Sequence, residues 1–209
     1  MNSFKVFYRN VFNQLKTTGS VAPSSRFLAS AMLRCINDLP RPLTILEPGS
    51  GTGPFAKPLA DLLTDGDKLD LCELNDDFVK HLNELMDSYP AMSQRKDQIT
   101  LYHKPVQALE GQDVYDVIIS SLPFNNFEPE LVQEILDKYL DLIKPGGCLS
   151  FFEYAGVRNL KKLITPSVER KRIDAVGEVL AKFIAQYQTG QIFVPLNIPP
   201  SIVHVCHFK

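Results

Sequence analysis

The stretch Ile45-Leu46-Glu47-Pro48-Gly49-Ser50-Gly51-Thr52-Gly53 decides how the rest of this chain is read. An apolar, strand-forming segment runs into a turn with glycine at alternate positions. There the backbone must pass close to a ligand that any Cβ would strike. A strand, such a turn and a following helix open a nucleotide-binding βαβ unit. The spacing narrows the ligand. A dinucleotide fingerprint places its third glycine at position 54, to seat a pyrophosphate on the helix N-terminus, and this chain has Pro54 there.

Outward from the loop, strands and helices alternate. The pattern predicts strands at 43–47, 68–73, 98–103, 115–121 and 148–154, with Lys144-Pro145-Gly146-Gly147 as the turn into the last. Helices are expected at about 56–64, 76–89, 129–142 and within 166–188, and the Asn75-Asp76 signal starts the second of them. Pro58 suggests that the helix after the loop begins near residue 57. Two further strands, 190–195 and 202–208, close the chain. This order predicts an α/β fold with a mainly parallel sheet, helices on both faces and an antiparallel hairpin at one edge.

The chain's 209 residues suit one domain with a full core, and its net charge of −2 argues against strongly electrostatic partners. Cys35, Cys72, Cys148 and Cys206 form no Cys-x-x-Cys pair and read as small core residues in a reducing compartment. No apolar run is long enough to span a bilayer and no signal peptide opens the chain, so a cytoplasmic protein is expected. The charge is uneven. Residues 1–36 carry Lys5, Arg9, Lys16, Arg26 and Arg34 without one acid, whereas the remainder has 17 Lys/Arg against 24 Asp/Glu. Phe4, Phe7, Tyr8, Val11, Phe12 and Leu15 fall at helical spacing with basic residues opposite, a pattern that can lie in an anionic membrane interface or pack as a lid. A second helix is expected after Pro23-Ser24-Ser25, running through Phe27, Leu28, Met32 and Ile36. Residues 1–40 are thus read as a helical arm and 41–209 as the ligand-binding domain.

In an open α/β sheet the ligand lies beyond the carboxyl ends of the strands. Glu73 ends the second strand, about 24 residues after Gly49, where a carboxylate can accept both hydroxyls of a ribose; Leu74 and Asn75 follow it. The third strand ends at Pro105-Val106, which offers apolar contacts or a backbone carbonyl to a base. Ser121-Leu122-Pro123-Phe124 ends the fourth strand in a rigid turn. Its oxygens can accept the N–H groups of an amine, and an aromatic face can stabilise a growing cation. Glu153 and Tyr154 end the fifth strand and are placed to line an acceptor pocket, Tyr154 also as an aid to proton removal. His204, Cys206 and His207 alternate across a strand, so they are read as strand residues and no metal is expected.

The loop Glu47-x-Gly49-x-Gly51-x-Gly53 resembles motif I of the class I S-adenosylmethionine-dependent methyltransferases. This resemblance implies a Rossmann-like, seven-stranded sheet with an antiparallel C-terminal edge strand. It also implies S-adenosylmethionine as cofactor. That molecule has no phosphate and carries an ammonium that suits Glu47, with Ser50 in the same loop. The Ser121–Phe124 turn resembles motif IV of the amino-group enzymes, with Ser121 facing both cofactor and acceptor.

Together with Thr18-Gly19-Ser20-Val21-Ala22-Pro23-Ser24-Ser25, Phe151-Phe152-Glu153-Tyr154 and Asn197-Ile198-Pro199-Pro200-Ser201, these motifs are similar to the bacterial phospholipid N-methyltransferases that convert phosphatidylethanolamine to phosphatidylcholine. The resemblance implies a peripheral enzyme on the cytosolic face whose N-terminal helix, residues 1–16 here, binds anionic lipid. It also places Ser24 and Ser25 over the cofactor. Two departures stand out: Pro105 where an Asp commonly reads adenine, and Phe124 where an aliphatic residue is frequent. An adenine N6-methyltransferase of ribosomal RNA shares the loop and a similar turn. The acidic body argues against a nucleic-acid partner, and no obligate protein partner is evident. A non-catalytic cofactor-binding homologue is the third reading.

Overall fold

The apolar run after Pro42 becomes strand β1 (Thr44–Pro48), and the chain then adds β2 (Lys68–Glu73), β3 (Ile99–His103), β4 (Tyr115–Ser120) and β5 (Ile143–Tyr154). The computed structural model describes residues 25–156 and 167–209. Strands β6 (Gln188–Val194) and β7 (Ser201–His207) complete one seven-stranded sheet of order β3-β2-β1-β4-β5-β7-β6. The first five strands pair in parallel, while β7 runs antiparallel to both β5 and β6. The expected hairpin therefore closes one edge, with β7 as its inner strand and β6 outermost.

Parallel strands need crossovers, and these cover both faces. On one face pack α1 (Arg26–Met32), a 3₁₀ turn at Leu33–Asp38, α2 (Ala56–Leu62), α3 (Asp76–Ser88) and the short α4 (Pro90–Gln94). Leu28, Met32, Ile36, Leu59 and Leu82 are buried there in one core. On the other face α5 (Pro129–Leu142) and α6 (Ser167–Tyr187) bury Leu131, Ile135, Tyr139, Val176 and Leu180. The segment 25–38 is thus built into the first core.

Several boundaries differ from the periodicity, each for a local reason. Pro58 is the third residue of α2, which starts at Ala56, because the N–H groups of a first turn have no partner inside the helix anyway. The helix at 76 stops at Ser88 because Tyr89, before Pro90, is extended (φ −79°, ψ 121°), and Pro90 then starts α4, which was not expected. β5 reaches back to Ile143, through a stretch expected to be a turn. Tyr115 pairs with Ile143, Lys144 Nζ lies 2.8 Å from Asp116 Oδ2, and Gly146 N–H donates to Phe208 O at 2.7 Å.

Candidate active site

Two of the loop's three glycines serve close packing at the carboxyl ends of β1, β2 and β4. Gly49 has φ +80°, and a Cβ there would lie 2.5 Å from Leu122 Cδ2. Gly53 has φ +79°, and its Cβ would meet Leu85 of α3 at 2.7 Å. A Cβ on Gly51 would meet nothing but Gly49 O, at 3.7 Å, so the middle of the loop is an open cradle. Gly49 N–H donates to Cys72 O at 2.7 Å and Gly53 N–H to Ser50 O at 2.8 Å, which fixes the loop against β2. Ser50 is wholly buried, and its hydroxyl donates to the Glu47 carbonyl at 3.0 Å.

Two carboxylates define the polar character of this cradle. Glu47 is 0 % exposed, and among the described residues neither carboxylate oxygen has a hydrogen-bond partner. Burial, and then the charge of Glu73, push its carboxyl well above the usual range, opposed only in part by the Ser50 hydroxyl. An orphaned buried carboxylate is costly unless a cation meets it. Glu73 is also buried but well held. Its Oε1 accepts from Leu74 N–H (2.7 Å) and Asn75 N–H (2.8 Å), and its Oε2 accepts from Gly51 N–H (2.9 Å). Burial raises its carboxyl, and these three bonds and the nearby His103 work against that rise. A carboxylate has about four lone-pair sites, so a fixed acceptor position remains beside Gly51.

Pro48, Gly49, Glu73, Leu74, Pro105, Val106 and Leu122 come together around one pocket, joined by Cys72 and Lys104. Its walls are apolar, and Cys72 Sγ donates to Lys104 O at 2.9 Å. Burial, then the charge of Glu73, push the Cys72 thiol up to about 12, which keeps it protonated. Sequence reasoning missed Cys72 and Lys104 as lining residues; their place on either side of the β2–β3 pair was the available signal.

In the turn after β4, Ser121 is a buckle. Its hydroxyl donates to Gly49 O at 2.7 Å, with Pro48 O at 3.2 Å, and Ser121 N–H donates to Pro48 O at 3.2 Å. Both oxygen lone pairs of the hydroxyl remain for another donor. Pro123 precedes a 3₁₀ turn at Phe124–Asn126. Phe124 is 3 % exposed and packs edge-on to Phe151, with ring centroids 5.9 Å apart. Its ring therefore sits in the second core, and Leu122 is the residue of this turn that lines the pocket.

Tyr154 ends β5 half-buried against Phe152, and burial raises its hydroxyl above the ordinary range. The β4–β5 register ends at Ser120↔Phe151, so Glu153 and Tyr154 extend β5 two and three residues beyond the last pair with β4. Behind Glu153 lies His204, 6 % exposed and stacked on Phe151 at 5.0 Å. Its Nδ1 is 2.6 Å from Gln188 Oε1, and its Nε2 is 3.4 Å from Glu153 Oε2. No local sequence signal joins Glu153 to His204; only the antiparallel β5–β7 register does.

Asn75 serves as N-cap of α3, where Oδ1 accepts from the N–H groups of Asp77 and Phe78. Ser25 caps α1, its hydroxyl accepting from Leu28 N–H at 3.2 Å. Ser24, Tyr8 and the whole 1–16 segment lie outside the described residues. Among the described residues no three of His, Cys, Asp and Glu form a metal-binding group, and no helix is long and apolar enough to cross a membrane. Asp116 clasps β1 to β4 by accepting from Thr44 N–H at 2.7 Å.

Residues 45–147 match the family described as a methyltransferase domain, Methyltransf_25. The stretch runs from β1 and the glycine loop through the turn after β4 and α5 into the first residues of β5. This segment is an S-adenosylmethionine-dependent methyltransferase domain. Across nearly its whole length the methyltransferase is similar to the ornithine lipid N-methyltransferase of Singulisphaera acidiphila, at 23 % identity over 208 residues, covering 99 % of this chain and 96 % of that protein.

Solved structures share the fold. One is the Burkholderia thailandensis 1,6-didemethyltoxoflavin-N1-methyltransferase with bound 1,6-didemethyltoxoflavin and S-adenosylhomocysteine (TM-score 0.68, 15 % identity, covering 100 % of this chain and 90 % of that one). Another is an S-adenosylmethionine-dependent methyltransferase from Aquifex aeolicus (TM-score 0.56, 15 % identity, covering 80 % and 82 %). The residues present fit that cofactor. The orphaned Glu47 carboxylate suits its ammonium, the open position at Gly51 gives it room, and the Pro105–Val106–Leu122 walls suit a flat apolar base.

Proposed function

We propose that this methyltransferase methylates the amino head group of a membrane lipid, with phosphatidylethanolamine as acceptor on the way to phosphatidylcholine. The observation that carries the reading is the span of the likeness to the ornithine lipid N-methyltransferase. It extends beyond the matched domain to include the arm and the β6–β7 hairpin. The same likeness supports a second acceptor, an ornithine lipid. Both readings share a lipid-borne amine.

The bound cofactor supplies an electrophilic methyl group on a sulfonium. In this proposal Glu47 faces its ammonium, Gly49, Ser50, Gly51 and Gly53 shape the loop around it, and Glu73 accepts from its ribose. Leu74, Asn75, Pro105 and Val106 complete the ribose and base walls. An amine must lose a proton before it attacks, and positive charge returns to the nitrogen as the new bond forms. Ser121 holds lone pairs toward the junction of cofactor and acceptor while its proton is engaged by Gly49 O. Leu122 and Pro123 give that turn a fixed, apolar shape, so the acceptor nitrogen is oriented rather than solvated. Glu153 and Tyr154 line the far side of the acceptor position, where a carboxylate favours a cationic head group. Phe124 acts from behind, by packing the turn against Phe151.

The arm extends the reading. Residues 1–16 place apolar and basic side chains at helical spacing and would hold the protein on the anionic cytosolic face of a membrane. Expression in a bacterium rich in phosphatidylethanolamine, followed by lipid mass spectrometry, tests the reading. Mono-, di- and trimethylated head groups are expected, and a Glu73→Ala control should lack them. An unchanged lipid profile beside newly methylated RNA would instead favour the nucleic-acid reading.

A further inference from the structure

Among the described residues five large apolar side chains stand well exposed, and three of them lie near one corner beside the end of β5. Leu196 (63 %) and Ile198 (81 %) occupy the β6–β7 loop and Phe27 (42 %) lies on α1, whereas Phe193 (59 %), next to last in β6, alternates with Val194 and points to the other face of the sheet. The corner is one place because Ser25, two residues before Phe27, donates its N–H to Asn197 Oδ1 at 2.9 Å. Isolated exposed apolar residues are ordinary, but a contiguous group marks an interaction surface.

The loop inverts the usual distribution. Its polar residue, Asn197, is 3 % exposed, while its apolar neighbours on either side face out. The Asn197 amide donates to Pro199 O at 2.9 Å and to Ser201 Oγ at 3.0 Å, and its carbonyl oxygen takes the Ser25 N–H. An amide satisfied on both ends acts as an internal strut. The outward pose of Leu196 and Ile198 is therefore built into the loop. Tyr154 pairs with Ser201 and Ala155 N–H donates to Pro200 O at 2.7 Å, which fixes the loop beside the acceptor end of β5.

The charge around the corner selects the partner. Arg26 lies over the Phe27 ring at 4.9 Å, and the 24 residues before Ser25 carry Lys5, Arg9 and Lys16 without an acid. Apolar tips beside Arg26, next in sequence to a stretch that is basic and free of acids, suit an amphiphile with acyl chains below and anionic head groups beside.

We infer that this corner is a membrane-docking finger: Leu196 and Ile198, backed by Phe27, enter the acyl boundary of a phospholipid bilayer. Docking there holds the Glu153–Tyr154 end of β5 against the head-group layer, where a lipid amine can reach it without the lipid leaving the membrane. The inference rests on the lipid-acceptor reading of this site, but docking itself needs no turnover.

The chain has no tryptophan, so Leu196→Trp places a single reporter on the finger of the full-length protein. It is mixed with vesicles of phosphatidylcholine and phosphatidylglycerol that contain no aminolipid. The inference expects emission to move to shorter wavelength on adding vesicles and to be quenched by brominated acyl chains. Emission that is short-wavelength in buffer and indifferent to vesicles would mean that residues 1–24 cover the finger. A shift that grows with protein concentration without lipid would mean that a second copy covers it. Unchanged long-wavelength emission would leave the finger in water. Each of these three overturns the inference.

The double variant Leu196→Asp/Ile198→Asp should weaken vesicle pelleting at least about tenfold while S-adenosylhomocysteine affinity, the check on folding, is kept. Retained pelleting also overturns the inference. A protein that docks but labels no aminolipid would refute the acceptor reading and leave docking standing. Methylation of detergent-dispersed aminolipid by a variant whose indole stays in water would do the reverse.

Discussion

At the glycine loop, polar atoms are buried and the backbone surrounds them: Glu47 and Glu73 lie inside, and Gly51 leaves space between them. At the β5–β7 rim the relation is reversed. Asn197 is tucked in as a strut, and Leu196 and Ile198 are turned out. The first arrangement grips a small charged molecule that arrives from water. The second suits an acceptor that stays in an apolar phase. In the proposed reading one sheet end carries two recognition surfaces, and Leu122, packed on Gly49, ties the acceptor turn to the first of them.

The comparison can be broken first at its polar end. Glu73→Ala removes the acceptor that ties Gly51, Leu74 and Asn75 together as well as the proposed ribose contact. Cofactor affinity measured by calorimetry should fall on the order of a hundredfold, since charge-assisted hydrogen bonds each contribute about 1.5–3 kcal/mol. Vesicle binding should be untouched. Unchanged affinity would remove Glu73 from the ribose site.

Glu47→Gln should cost about tenfold in cofactor affinity and should alter its pH dependence. Burial and Glu73 raise the Glu47 pKa in the folded state above its unfolded value. Such a carboxyl costs the fold nothing below the unfolded pKa, and it destabilises progressively as pH climbs through the folded one. The variant's thermal midpoint without cofactor should therefore exceed the wild type's at alkaline pH and match it at acid pH. Wild-type cofactor affinity should weaken as pH falls and Glu47 takes up a proton. A flat wild-type profile would argue against an ammonium partner.

Gly49→Ala tests the joint between the two surfaces. Its φ of +80° and the 2.5 Å approach to Leu122 Cδ2 predict a stability loss of about 1–3 kcal/mol by denaturant titration. The acceptor turn should be displaced with it, so the acceptor KM should rise along with the loss of cofactor affinity. The smallest effect belongs to the rim. Tyr154→Phe should raise the acceptor KM about two- to tenfold, the range of one neutral hydrogen bond, and leave cofactor affinity alone.

What could be read from sequence follows the same division. The loop was legible because a close-packed backbone demands glycine at fixed spacing, and Glu73 because an acid at a strand end has few structural reasons. Pro90 marked the end of the helix that starts at Asp76 to within one residue, but nothing in the sequence reading placed the short α4 that follows. The orphaned state of Glu47 was not legible, since it depends on Ser50 turning its hydroxyl to the main chain. Nor was the pairing of Glu153 with His204, or the inward pose of Asn197. Both arise where β7 inserts antiparallel between β5 and β6, and that register belongs to the assembled sheet.

The most direct test of the central claim uses S-adenosylmethionine labelled in its methyl group, the full-length protein, and in parallel phosphatidylethanolamine vesicles, ornithine-lipid vesicles and ribosomal RNA. Label in the head group of one of the lipids, with none in RNA, is the predicted result. Label in RNA, or bound cofactor with no transfer to either lipid, would contradict it.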